Sequence, residues 1–231
     1  MNDTMRPILF NTAMVSAILE GRKTVTRRLV KPNFRPGECS YRIITEKYSG
    51  KYVRVEYLDE WEEVTRYMRE PCQPGDILYV RETWAFDTGD DMDTIGCGTF
   101  LFRADGGNQN VNWRPSIHMP KEAARVFLRV KNVRAERLHQ ITVEEAQKEG
   151  VLRKEIRNKG CSCQWKQDGC LEQPCANRDA YESLCWTIPF AELWDSTTKT
   201  ADMASCGWEA NPWVWVIEFE RISKKETMYN E

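Results

Sequence analysis

The sequence predicts an α+β fold: one domain of mixed strands and short helices, interrupted by insertions at about 32–72 and 151–188. Three observations carry this. The chain opens with a strand, a capped helix and a glycine turn into a second strand. Stretches dense in β-formers recur at 77–84, 126–134 and 213–219. Between them, two segments change composition and read as additions to a common core.

Pro7-Ile8-Leu9-Phe10 is a short apolar run that ends at Asn11-Thr12, two helix-capping residues. Met14, Val15, Ile18 and Leu19 then recur at helical spacing, which predicts a helix of about ten residues. Gly21 stands where a helix C-terminus favours a left-handed residue, and the chain turns β-rich from Lys23 to Val30. The turn and strand Gly21-Arg22-Lys23-Thr24-Val25-Thr26-Arg27-Arg28 carry four cations. From Gly21 to Gly37 there are six (Arg22, Lys23, Arg27, Arg28, Lys31, Arg35) and no Asp or Glu, in a chain of formal net charge −2. Arg offers a planar fork of donors and Lys a compact charge, so such a cluster suits phosphate or another anion. The alternative is an edge strand carrying protective charges.

Residues 32–72 hold Pro32, Pro36 and Gly37, a strand-like region from Tyr41 to Val55, and an acidic run of Glu56, Asp59, Glu60, Glu62 and Glu63. This predicts an inserted hairpin with a solvated acidic face. Pro74-Gly75-Asp76 marks a turn into a strand from Ile77 to Trp84. Arg81-Glu82-Thr83 breaks its apolar pattern, so the strand either enters a pocket there or holds a buried charge pair. Arg81, Glu82 and Trp84 are therefore candidate ligand contacts, Trp84 by stacking. Residues 87–98 read as a loop. His118, one of two histidines, precedes the alternating strand 126–134 and is a further candidate. Thr142 to Glu145 forms a capping box that starts a helix ending at Gly150. Glu149 lies in its last turn, where a carboxylate opposes the helix dipole.

Residues 151–188 carry Cys161, Cys163, Cys170, Cys175 and Cys185 with little apolar material. A structural zinc on Cys161, Cys163, Cys170 and Cys175 would supply what that segment lacks, although the spacing differs from paired C-x2-C knuckles. The alternative is a thiol-rich loop. Phe190 to Trp194 reads as a helix end, and Trp213 to Phe219 as a closing strand, apolar on both faces and hence interior.

Composition bounds the function. With 41% hydrophobic residues, 9 Trp, 8 Tyr and 8 Phe, the chain can bury a core, so it is not a disordered protein. A pI of about 5.9 excludes wrapping of nucleic acid by the whole surface and confines any such contact to a patch. No apolar run approaches the roughly 18 residues of a membrane span, and the start is unlike a secretory signal. The expectation is a cytoplasmic protein without membrane contact whose nine cysteines are reduced thiols or metal ligands.

The assembled pattern resembles the ASCH family, whose signature G-x-K-x-x-E-x-R follows the first helix; here it reads Gly21-x-Lys23-x-x-Thr26-x-Arg28. Thr26 replaces the glutamate of the general pattern. It is similar to the subset that hydrolyses the acetyl amide of acetylcytidine, with Glu149 matching the later helical glutamate. Element order looks like the long phage and prophage members, over about 120 residues outside the insertions. The resemblance implies a small PUA-like β-barrel whose pocket, floored by Lys23, Thr26 and Arg28, needs no cofactor; Gly21, Arg22 and Arg27 of the cationic stretch are further candidate ligand contacts. Two functions follow. One is a binding module for RNA, single-stranded DNA or a nucleoside. The other is an amidohydrolase for an acylated nucleoside, with Lys23, Thr26 and Glu149 catalytic. A phage protein-interaction factor is a third. In a regular strand Lys23 and Thr26 would point to opposite faces, so the hydrolase needs Lys23 to lie still in the turn.

Overall fold

A computed structural model of the chain describes residues 5–30, 40–48, 52–58, 63–87, 98–106, 111–154 and 178–227, with the backbone alone described for 40–69 and 178–181. The fold is mixed α+β. Its main sheet has five strands: β1 (Arg6–Leu9), β2 (Val25–Leu29), β6 (Ile77–Arg81), β9 (Phe127–Arg137) and β10 (Trp213–Ile222). Their order is β1-β6-β9-β10-β2, with β1 parallel to β6 and the other pairs antiparallel.

The two strands that are first in sequence thus form opposite edges of the sheet. They are joined by the eight-residue helix α1 (Thr12–Leu19). The sheet curls until these edges face each other, for the Arg28 side chain on β2 donates a 2.7 Å hydrogen bond to the Leu9 carbonyl at the end of β1. No ladder joins β1 to β2, so the barrel implied by the family resemblance is not closed among the described residues. Pro7 removes a backbone donor from the four-residue β1, which is a feature of edge strands.

Local signals explain the connections. Asn11 caps α1, its side chain accepting from the Met14 amide at 2.9 Å. Gly21 (φ 78°) ends that helix. The capping box forms as read: Thr142 and Glu145 exchange side-chain-to-backbone bonds at the start of α2 (Val143–Lys148). Gly150 (φ 85°) then turns the chain.

Three features depart from the sequence expectation. The 32–72 segment holds three strands, β3 (Ser40–Tyr48), β4 (Tyr52–Leu58) and β5 (Glu63–Arg69), in a separate antiparallel meander where a hairpin was expected. The 77–84 strand breaks at Glu82-Thr83, and Trp84–Asp87 (β7) pairs with Thr99–Phe102 (β8). Glu82 causes the break: its carboxylate turns to Arg125 and its amide to the Met119 sulfur. Finally, a twenty-residue helix, α3 (Arg178–Thr197), begins within the cysteine-rich stretch and continues through Pro189.

Strand β10 is interior, as read. Trp215, Ile217 and Phe219 pack with Ile8, Val15 and Leu128 on one side. Val214 and Val216 pack with Ala146, Phe190 and Trp194 on the other. That second cluster seats α2 and α3 beside the β2 edge. Among the described residues, no helix is long and apolar enough to cross a membrane.

Gly150 and Gly21 give a direct check of this packing. An added methyl at Gly150 would meet the Ala17 and Lys23 β-carbons at 2.9 Å, whereas Gly21 faces open space. Both positions have positive φ, which costs about 1–2 kcal/mol for an L side chain. Gly150→Ala is expected to lose more stability than Gly21→Ala in urea unfolding. An equal or reversed order would show that the α2 end does not press on the Lys23 turn.

Candidate functional site

Lys23 lies between α1 and β2, in the turn. The Arg22 and Lys23 amides both bond the Ala17 carbonyl (2.9 and 3.0 Å), closing the helix. Lys23 then forms an isolated antiparallel bridge with Glu149, and the Thr24 amide bonds the Lys148 carbonyl at 2.8 Å. The end of α2 is thereby docked on the start of β2.

The side chains follow the backbone. Lys23 is fully buried and donates to Glu149 Oε2 (2.6 Å), the Glu149 carbonyl (2.9 Å) and the Val25 carbonyl (2.8 Å). Three acceptors match the three donors of an ammonium; a neutral amine would leave one oxygen facing a lone pair. Burial pulls the Lys23 pKa below the ordinary lysine range, with Arg28 and Arg27 adding to that pull and the Glu149 carboxylate opposing it.

Arg27, also buried, reaches the other Glu149 oxygen at 3.2 Å and bonds Glu136 (2.6 Å) and Glu145 (2.8 Å). Arg134 extends the network to Glu136, Glu145 and Glu218. The Nε of Arg27 has no partner among the described residues.

Arg28 differs from both. It bonds one carbonyl, stands over the Phe10 ring at 5.0 Å, and has no carboxylate partner among the described residues. Burial lowers its pKa from the usual arginine value, with Glu149 opposing.

These groups floor a cavity of about 320 Å³ in the gap between the sheet edges. Thr26, Arg27, Arg28 and Glu149 line its floor. Phe10, Asn11 and Met14 form one wall, Thr83, Pro115 and Ser116 another, and Phe190, Leu193 and Trp194 of α3 the third. The Trp194 indole N–H is engaged by the Cys206 carbonyl at 2.8 Å. Asn11 uses its oxygen as the α1 cap, leaving its amide nitrogen as a donor.

The structure therefore brings Thr26, Arg27, Arg28 and Glu149 into one cavity with Lys23 locked beneath it. It does not bring the other sequence candidates there. Gly21 is a turn residue. Arg22 binds Glu20 and the Gly150 carbonyl and lines a neighbouring cavity of about 430 Å³. Arg81 donates to the Met119 carbonyl. Glu82 forms an ion pair with Arg125 (2.9 and 3.1 Å) while the next residue, Thr83, lines the cavity, so the strand break holds a charge pair and also enters the pocket. Trp84 is buried with Ile77, Met119 and Phe127. His118 is exposed on a 3-10 turn, Ser116–His118, that begins at the cavity wall. Cys161, Cys163, Cys170 and Cys175 lie outside the described residues. Among those described, no group of three His, Cys, Asp or Glu side chains is placed to hold a metal.

Sequence reasoning missed Asn11, Ser116 and the α3 wall. The i, i+4 spacing of Phe190 and Trp194 was the available signal for an aromatic helix face. Comparison with family models, curated proteins and solved structures finds no match to this chain.

Because Glu149 neutralises two buried cations, removing its charge is costly. Glu149→Gln is expected to lower unfolding stability by about 3–5 kcal/mol, the usual cost of leaving a buried ion unpaired. A loss below about 1 kcal/mol in urea unfolding would show that the pair is exposed to solvent and fixes nothing.

Proposed function

We propose that this chain is a binding module for a nucleoside or an unstacked base of RNA or single-stranded DNA, built as a PUA-like domain of the ASCH type. The observation that carries the reading is Arg28: a guanidinium at the floor of a small cavity, with one hydrogen bond spent on Leu9 and no carboxylate bonded to it among the described residues. A half-buried cation of this kind favours a ligand that supplies acceptors.

Size and chemistry agree. About 320 Å³ lies at the low end of small-molecule sites, which run from roughly 300 to 1,000 Å³. Phe10, Phe190 and Trp194 supply apolar surface for a flat ring. The free polar groups are mostly donors, namely Arg28 and the Asn11 amide, with the Thr26 and Ser116 hydroxyls able to serve either way. Such a set suits the carbonyl and ring-nitrogen acceptors of a pyrimidine edge.

The amidohydrolase reading stands second. It is favoured by the approach of Lys23 to Glu149 at 2.6 Å and by the presence of Thr26 and Glu149 in the same lining. Against it, Lys23 has all three donors engaged and would have to release a proton from a satisfied ion pair before acting as base toward Thr26.

One experiment separates the two. Cytidine and N4-acetylcytidine are titrated by calorimetry, and the acetylated compound is also incubated and assayed for free acetate. Binding without acetate release, weakened about tenfold or more by Arg28→Ala, is expected; a lost bidentate contact is worth about 1–3 kcal/mol. Acetate release that vanishes in Thr26→Ala would make the hydrolase reading correct. No heat with either compound would remove both.

A further inference from the structure

The wall of the cavity that bears Thr83 continues into a second surface. The Thr83 carbonyl accepts from the Arg103 amide at 3.0 Å, and Trp84 and Arg114 exchange reciprocal backbone bonds at 3.2 and 2.7 Å. Two arginines are thereby fixed on either side of the Thr83-Trp84 dipeptide. From Arg114 the chain runs directly to Pro115 and Ser116 in the cavity lining.

Both arginines are exposed, as is Lys121 a short way on. Each stands over an aromatic ring: Arg114 over Trp84 at 5.2 Å, Arg103 over Trp113 at 6.0 Å and Lys121 over Tyr79 at 5.9 Å. None of the three has a carboxylate partner among the described residues. Their neighbour Arg125 shows the contrast, being tied to both Glu82 and Asp105. Most other cations near the cavity are neutralised, as Lys23, Arg27 and Arg134 are. Unmatched cations beside the half-buried rings of Trp113 and Tyr79 form a surface for a chain that alternates negative charge with flat rings.

We infer that the face formed by Arg103, Trp113, Arg114 and Lys121 carries the phosphates and neighbouring bases of a single-stranded nucleic acid, one base of which enters the cavity at Ser116. This rests on the proposed base-binding role of the cavity and narrows its ligand from a free nucleoside to a residue within a strand. A paired base cannot enter so small a site without leaving its stack, so single strands should be preferred to duplex. His118, exposed two residues beyond Ser116, lies on the same segment.

The test compares two ligands and two variants. A fluorescein-labelled oligocytidine of about eight nucleotides, within the usual range of single-strand site sizes, is followed by anisotropy across a salt series. Cytidine is followed by calorimetry. The triple variant Arg103→Ala, Arg114→Ala, Lys121→Ala is expected to weaken the oligonucleotide at least about tenfold and to reduce the log-log salt slope by about 2, roughly 0.7 per lost phosphate contact. Its cytidine affinity and thermal midpoint should match the parent protein. Arg28→Ala should weaken both ligands.

An unchanged oligonucleotide affinity and slope in the triple variant, with cytidine still bound, would overturn the inference and leave the cavity reading intact. Duplex bound as tightly as single strand would also overturn it. So would a poly-glutamate peptide competing at equal affinity, since the face would then be a general site for acidic chains. Failure of both cytidine and the oligonucleotide to bind the parent protein would overturn the cavity reading together with the inference.

Discussion

The ion pair between Lys23 and Glu149, with Arg27 on the second carboxylate oxygen, is the constraint on which the rest of the site depends. Two buried side chains 126 residues apart are held at 2.6 Å. A pair so placed does not persist because it is stabilising on balance, since removing both charges from water costs several kcal/mol per ion. It persists because each partner makes the loss of the other expensive, so the arrangement has one geometry. That geometry docks the end of α2 on the start of β2 and fixes where Thr26, Arg27 and Arg28 stand.

A consequence follows for the sheet. β1 and β2 are joined by a short helix, yet they form opposite edges, and the curl that this connection demands brings them face to face. Instead of closing the ladder, the gap admits side chains. Arg28 spans it to Leu9, Phe10 lies under Arg28, and α3 covers the far side with Phe190 and Trp194. A closed barrel would have spent the Leu9 carbonyl on a backbone amide and left no space. The cavity is therefore the direct product of an incomplete sheet, and the buried network beneath it is neutralised while the guanidinium above it is not. That difference turns a structural charge cluster into a candidate binding site.

Local features of this architecture were legible in the sequence because their causes are local. The Asn11 cap, the Gly21 turn, the Thr142 capping box and the two-sided apolar pattern of β10 each follow from neighbouring residues, and each took the conformation that its pattern predicts. The signature residues Lys23, Thr26, Arg28 and the distant Glu149 do meet. What the pattern could not tell was the role of each charge. Whether Lys23 lies in the turn or in the strand depends on its bridge to Glu149, a contact far along the chain. Glu82 read as a pocket residue because Arg81-Glu82-Thr83 interrupts a strand, and Trp84 because it could stack on a base, but the interruption is made by Arg125 and Met119, some forty residues later, and Trp84 packs into the core. The α3 wall was hidden for the same reason: aromatic spacing reveals a helix face without revealing what it faces.

Function then reduces to which cation is available. Lys23 and Arg27 are committed to carboxylates, and among the described floor residues Arg28 is the cation without a carboxylate partner. The most direct measurement is an NMR titration of protein carrying ¹⁵N-labelled arginine, observing the guanidinium signals while cytidine is added. The account predicts a saturable shift of the Arg28 signal with the buried Arg27 signal little changed. Shifts spread over the exposed arginines with Arg28 unmoved would contradict it.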